Sequence, residues 1–414
     1  MEAKPSGMQA KEKHDFTVIL PVVAEAISSG ILAFVWVSLP FLAGLVSGSL
    51  YLVGVMAAVA IFTSLIFRIF LRFYSERART DLISPMSLFI LGIALAVMYV
   101  SLNFVLLLAS MAIVGASMTL KMYGTRYSSQ QLHQLQPFSN YYSTGAAGTV
   151  GIMIILILSA LYTGTSIRGL LGIYSIVALL LGLVNISIKL SKKGVEEKPE
   201  NKTTLLEIIK YPISYLRSFD TLANRRLALR LLVSVVLIYV PIAMVGAFLS
   251  SIGFSDNVSR MDIFLIFSAF AVLGFLIEKG SRLFKLKFLK ETFYMLRPSI
   301  LLIAMLLLSM APLSLLFVSA YILIIIWFWA DAASSGIFPK YLTDTDLLKI
   351  PYMQAVFSVP LSFMAPLLGS LLWYVSPRLL FGVAIAPVAI AIILTFMNPE
   401  GRFVSLESRA NNQT

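Results

Sequence analysis

The 414-residue sequence predicts an all-α integral membrane protein of twelve transmembrane helices in two bundles of six, with both termini cytoplasmic. Three observations predict it. Hydrophobic residues make up 59% of the chain, charged residues 13%, and mean hydropathy is +0.90. Soluble domains run nearer about 45–50% apolar and about 25% charged. The second observation is a series of apolar runs, each near the roughly 20 residues that a spanning helix needs. The third is the sidedness of the basic residues between those runs.

The runs fall at 16–39, 49–70, 83–101, 104–124, 144–163, 169–190, 227–253, 261–278, 298–312, 314–338, 353–374 and 379–397. Asn103 separates the third from the fourth, and Ala311-Pro312 the ninth from the tenth. Joining either pair would give a run about twice the bilayer thickness. With the N-terminus inside, all but three of the 32 Lys and Arg fall on the inner side. Arg168, Arg260 and Arg378 lie outside. That asymmetry obeys the positive-inside rule and accounts for the +12 net charge without a nucleic-acid partner. The first run is too long for a signal-peptide core and no A-x-A site follows it, so it is expected to stay as the first span.

This composition excludes a soluble enzyme, a disordered chain and a free nucleic-acid binder. With no cysteine, it excludes disulfides, thiolate metal sites and cysteine nucleophiles. His14 and His133 fall in the tail and a loop, so no metal site and no cofactor is expected. The domain order is an N-tail 1–15, a six-helix bundle 16–190, a cytoplasmic linker 191–226, a second six-helix bundle 227–397 and a C-tail 398–414. Within the linker, 204–219 has near-helical apolar spacing interrupted by Pro212, which suits an interfacial helix or a solvated linker equally. Segment 279–297 is basic and amphipathic and is expected to meet anionic lipid at the inner face.

Six spans, a basic linker and six more spans resemble the major facilitator superfamily. That family carries a loop signature G-x-x-x-D-[RK]-x-G-[RK] after its second span, often echoed after the eighth. Here Gly274, Glu278, Lys279, Gly280 and Arg282 resemble the echo, with Glu for Asp and the second Gly one place early. The resemblance makes them a cytoplasmic gate, an acid and bases that part when the halves rock. At the first location Arg72, Arg77 and Arg79 remain but both glycines are missing. Runs 163–183 and 366–381 resemble the family's turns into spans six and twelve. The resemblance also implies a central cavity lined by spans one, four, seven and ten, and a monomer.

Ionisable groups inside spans are costly and usually face a bundle interior or a cavity. Glu25 in span one and Asp331 in span ten lie well inside; Lys121 lies near the inner end of span four. Arg230, at the start of span seven, is placed to snorkel. Glu25 has Ser28 and Ser29 at i+3 and i+4, on one helix face, and Trp36 returns to it three turns on. Asp331 has Ser334 and Ser335 at the same offsets and Trp327 one turn before. The stretches Glu25-Ala-Ile-Ser-Ser-Gly30-Ile and Asp331-Ala-Ala-Ser-Ser-Gly336-Ile match closely, and transporter sites sit at repeat interfaces. Tyr239, mid-span beside Pro241, is the best placed cavity aromatic. The blander alternatives are a carboxyl bonded to backbone or serine, a static bridge to Lys121, and serines that serve helix contact. The Gly145-Ala-Ala-Gly148-Thr-Val-Gly151 run reads as packing.

The functional expectation is a secondary transporter at the plasma membrane, moving a small solute by alternating access. Proton exchange at Glu25, Asp331 or both would couple it, since burial raises a carboxyl's pKa. Paired acids among aromatics would also suit a cationic solute. Met111 stands four before Gly115, where drug–proton antiporters carry arginine, and span five lacks their Gly-Pro pair. The alternatives are a membrane-embedded lipid-modifying enzyme and a lipid flippase or scramblase. Asp344 and Asp346 are the only close pair of loop aspartates and read as a turn or helix cap. No Walker-type phosphate loop occurs. Asn257-Val-Ser259 fits a glycosylation sequon in an outer loop, while Asn201-Lys-Thr203 lies inside.

Overall fold

The computed structural model describes residues 7–75, 82–100, 103–135, 139–162, 166–191, 225–255, 258–283, 290–310, 315–334, 360–361 and 363–396. Among them no strand occurs. The helices are α1 Gly7–Ser47, α2 Tyr51–Ser75, α3 Ile83–Val100, α4 Phe104–Leu135, α5 Ser139–Leu161, α6 Ile167–Ser191 and α7 Arg225–Gly246. They continue with α8 Leu249–Ser255, α9 Arg260–Leu283, α10 Lys290–Met310, α11 Leu315–Ser334, α12 Phe363–Val375 and α13 Pro377–Phe396. Five stretches are long and apolar enough to cross a membrane: Val22–Ser47, Ile83–Val100, Phe104–Lys121, Ile167–Ser191 and Pro377–Leu394. The chain is a multi-pass membrane protein.

Every predicted span that falls on described residues carries helix, but many bounds differ, α10 for one beginning at Lys290 and not at 298, and three of the spans show physical reasons. α1 begins at Gly7 and runs through Pro40 to Ser47, well beyond the predicted 16–39. Proline removes one ladder bond but ends a helix only when the chain also turns. The turn comes at Gly48, whose φ of 67° is open to glycine, and its N–H bonds to the Gly44 carbonyl at 3.1 Å. α4 extends to Leu135, past the predicted 124. The predicted span 227–253 is two helices, with a turn at Ala247–Phe248. Pro241 already deprives α7 of one N–H. The Phe248 N–H then bonds to Val245 at 2.9 Å, one residue tighter than an α-helix. Phe248 is fully buried and stacks on Trp373 at 5.1 Å, which fixes the turn.

The helices form two compact units. Unit 1 holds Met1–Ser49, Val59–Thr203 and Val258–Phe275; unit 2 holds Leu50–Ala58, Thr204–Asn257 and Leu276–Thr414. The start of α2 and most of α9 therefore group across the predicted six-plus-six division.

Water cannot drive helix association in lipid, so small residues and cross-helix hydrogen bonds carry it. Unit 1 shows both. A Cβ on Gly151 would stand 1.9 Å from the Ala26 carbonyl oxygen, and one on Gly30 would stand 2.4 Å from that of Gly151. Backbone thus meets backbone where α1 crosses α5, and the packing reading of the span-five run holds at Gly148 and Gly151. Ser64 and Thr119 join α2 to α4 at 2.8 Å. Ser117 donates to the Ser87 carbonyl (2.8 Å) and Ser175 to that of Gly92 (2.9 Å), tying α3 to α4 and α6. Phe264 of α9 stacks on Phe34 (5.7 Å) and Phe41 (6.1 Å), and Phe34 meets Tyr174 edge-on.

In unit 2, α10 packs on α11 and α13, and α13 on α7. The start of α2 lies against α12, where a Cβ on Gly54 would fall 2.4 Å from the Pro366 carbonyl oxygen.

Two of the three basic residues read as outside have a structural task. Arg168 donates to the carbonyls of Tyr99 (2.6 Å) and Val100 (2.8 Å), the last of α3. Arg260 donates to the Tyr162 carbonyl (2.9 Å), just past the end of α5. Terminal helix carbonyls lack partners and carry the negative end of the dipole, so each guanidinium satisfies both needs. Replacing Arg168 by Ala is expected to cost about 1 kcal/mol, read as a lower melting temperature in detergent. Lysine should recover only part, since a point charge cannot form the two-pronged bond. Ser259, the last residue of the sequon, caps α9: its hydroxyl accepts from the Asp262 N–H at 3.1 Å and donates to the Asp262 carboxylate at 2.6 Å.

Candidate functional site

Glu25 on α1 and Lys121 on α4 form an ion pair, Oε1 to Nζ 3.3 Å, and each side chain is 15% exposed. Ser29, one turn after Glu25, stands between them. Its hydroxyl donates to Glu25 Oε1 at 3.2 Å and accepts from the Lys121 ammonium. The i, i+4 register puts Glu25 and Ser29 on one face. α5 meets this face with Gly148, whose Cβ position is 3.7 Å from Glu25 Oε1 and 2.9 Å from Ser29 Oγ. Any larger residue there would crowd the pair. Ser28 is 4% exposed, and its hydroxyl has no hydrogen-bond partner among the described residues.

Two buried charges that share a hydroxyl make a neutral, satisfied unit. Their remaining exposure carries information. An ion pair facing hydrocarbon is costly, so such groups face a protein interior or a water-filled cavity. The cluster is a charged site at the crossing of α1, α4 and α5.

The other candidates read from the sequence lie away from this cluster. Trp36 is half-buried on α1, about 16 Å along the axis from Glu25 at 1.5 Å per residue, too far to touch the pair. In unit 2, Tyr239 on α7 meets Trp327 on α11 edge-on, ring centroids 6.0 Å apart, and Trp327 is fully buried. Asp331 and Ser334 occupy the last turns of α11; their side chains, and the whole of Ser335, lie outside the described residues. Gly274 lies on α9, which continues as helix through Glu278, Lys279, Gly280 and Arg282. The side chains of those four lie outside the described residues. Asp344 and Asp346 also lie outside them. Among the described residues no three His, Asp or Glu side chains gather as a metal site.

Sequence reasoning missed two features. Gly148 read as packing alone, with no sign that the face it packs on would be the one carrying Glu25 and Ser29. The Phe34, Phe41, Phe264 and Tyr174 cluster had no signal, because phenylalanine is common throughout the chain.

No protein-family model matches the sequence, and no curated protein matches it. Solved structures do. A crystal structure of the nucleoside transporter NupG superimposes with a TM-score of 0.68 at 12% identity, covering 94% of this chain and 98% of that one. A bacterial homologue of the human lysosomal transporter Spinster, inward-facing and unoccupied, gives 0.67 at 12% identity over 96% and 97%. The human organic anion transporter MFSD10 gives 0.56 at 15% identity over 92% and 99%. This chain shares the fold of these transporters. Identities this low speak to the fold alone. The Glu25–Lys121 cluster and the Tyr239–Trp327 contact fall on the first, fourth, seventh and tenth predicted spans.

Proposed function

We propose that the chain is a secondary transporter of a small polar organic solute in the plasma membrane. The observation that carries this is the Glu25–Lys121–Ser29 cluster inside a multi-pass chain of transporter fold. A membrane protein keeps a charged cluster within its spans at a cost, and function is the usual return. NupG is a nucleoside transporter and MFSD10 an organic anion transporter, which supports a polar organic solute here. The three solved proteins it resembles are transporters, which favours that reading over a lipid-modifying enzyme or a scramblase.

In the proposed mechanism twelve spans form two six-helix bundles, 16–190 and 227–397, joined by the linker 191–226. Both termini are cytoplasmic and the chain works as a monomer. The bundles rock and expose the site to one side and then the other. Tyr239, Trp327, Asp331, Ser334 and Ser335 supply the second bundle's part of the path. Gly274, Glu278, Lys279, Gly280 and Arg282 gate the cytoplasmic side, near anionic lipid. Proton exchange at Glu25 or Asp331 couples the cycle.

The test is a ligand panel of sugars, amino acids, nucleosides, organic anions and lipophilic cations, scanned by melting temperature in detergent at two pH values. A solute that binds the native state raises the melting temperature by mass action, by about 2.7 kcal/mol of stability at a hundredfold excess over Kd. One chemical class is expected to do so, and replacing Glu25 by Gln is expected to remove the shift. Silence across all classes contradicts the proposal.

A further inference from the structure

The proposed transport leaves open what the Glu25–Lys121 pair recognises, and charge balance narrows it. In the resting structure the pair is neutral, its two charges 3.3 Å apart with Ser29 bonded to both. A neutral solute can hydrogen-bond to both groups but matches neither charge. A simple anion satisfies Lys121 and leaves the Glu25 carboxylate without its counter-charge. A simple cation does the reverse to Lys121. Stripping a partially buried charge of its partner is among the costlier changes available to a protein. A zwitterion replaces each protein charge with its own opposite and leaves none unmatched.

We propose that the Glu25–Lys121 pair is the recognition site for a compact zwitterion of the α-amino-acid type, whose carboxylate binds Lys121 and whose ammonium binds Glu25. The inference rests on the transporter reading and deepens it. A hydroxyl partner is already in place. Ser29, which both donates and accepts in the resting pair, can bond to either group of the solute. Ser28 adds a buried hydroxyl with no partner among the described residues, one residue away on the same helix. Gly148 lets α5 close on the pair without covering it with a side chain, its Cβ position 2.9 Å from Ser29 Oγ and 3.7 Å from Glu25 Oε1. The described residues of α5 bring no charged group to the pair. α4 brings Lys121, and on α6 Tyr174 is engaged with Ser159 and Phe34 further along. Insertion opens one ion pair and forms two, with no proton taken up or released.

The neutral α-amino acids are the probes, each compared with the matched carboxylate lacking the amine and the matched amine lacking the carboxylate; for leucine these are 4-methylpentanoate and 3-methylbutylamine. Melting temperature of the purified full chain in detergent is the readout, at pH 6 and pH 8. At least one amino acid is expected to stabilise the protein, equally at both pH values, with both of its half-molecules at least tenfold weaker. E25Q and K121Q are each expected to weaken binding at least tenfold. The E25Q/K121Q double variant removes both charges together, so it should fold as the parent does and show no response. If a carboxylate or an amine binds as well as the parent amino acid, or the double variant still responds, the inference is wrong while transport stands. If amino acids fail and another class of the panel binds, zwitterion recognition is again wrong and transport again stands. If nothing in either set binds, the transporter reading fails with it.

Discussion

Replacing Gly151 by Leu is expected to abolish the folded protein, shown by loss of the monodisperse peak on size exclusion. Even Gly151→Ala should destabilise it by about 1–3 kcal/mol, the usual cost of overpacking. The sign is decided by two opposing effects. Alanine is the better helix former by about 1 kcal/mol. Against that, its Cβ would sit 1.9 Å from the Ala26 carbonyl oxygen and 2.3 Å from the carbonyl carbon. Those are backbone atoms, so no rotamer change relieves the clash. α1 and α5 must separate, and Gly30, whose own Cβ position is 2.4 Å from the Gly151 oxygen, loses its contact too. Leucine forces a wider gap and should cost roughly 4 kcal/mol or more, the range reserved for gross packing failures. Gly382→Ala on α13 is the control. Nothing stands within 4 Å of its Cβ position, so helix propensity acts alone and the change should be neutral or stabilising by up to about 1 kcal/mol.

The second large effect concerns charge rather than volume. Lys121→Gln alone is expected to destabilise the protein by roughly 3 kcal/mol, the lower end of the range for stripping one partner from a buried pair, because each side chain keeps 15% exposure. Glu25→Gln alone should cost a similar amount. The double variant should lie within about 1 kcal/mol of the parent, since two amides beside Ser29 can bond to one another and no charge is left unmatched. Melting temperatures of the four proteins form a double-mutant cycle whose coupling energy isolates the pair. Additive losses would mean that the two charges do not act as a unit.

Much of this was legible in the sequence because a bilayer imposes a coarse rule. Twenty apolar residues between polar breaks mark a span whatever the tertiary contacts are, so the helices were readable despite 12% identity to NupG. Glu25 and Lys121 stood out for the same reason, being charges where charges are expensive. Their pairing was only one of several readings, because a contact between positions 25 and 121 depends on how α1 and α4 cross. What lay beyond the sequence depended on local geometry. The first apolar run was bounded at 39, but the helix end is set by Gly48 and its left-handed turn. The break at Ala247–Phe248 is held by the stack of Phe248 on Trp373, which no local pattern signals. Arg168 and Arg260 were counted as exceptions to a charge rule, while their bonds to the ends of α3 and α5 make them helix caps.

The absence of cysteine permits the most direct test of the central claim, that the Glu25–Lys121 site lies on a path alternately open to the two faces of the membrane. A single Ser29→Cys places a thiol between the two charges. A membrane-impermeant methanethiosulfonate reagent is then applied to right-side-out and to inside-out vesicles. Alternating access predicts labelling from each side. It also predicts that a solute which stabilises the purified protein changes the two rates. Labelling from neither side, or from one side alone at a rate no solute alters, would make the pair a static bridge and contradict the account.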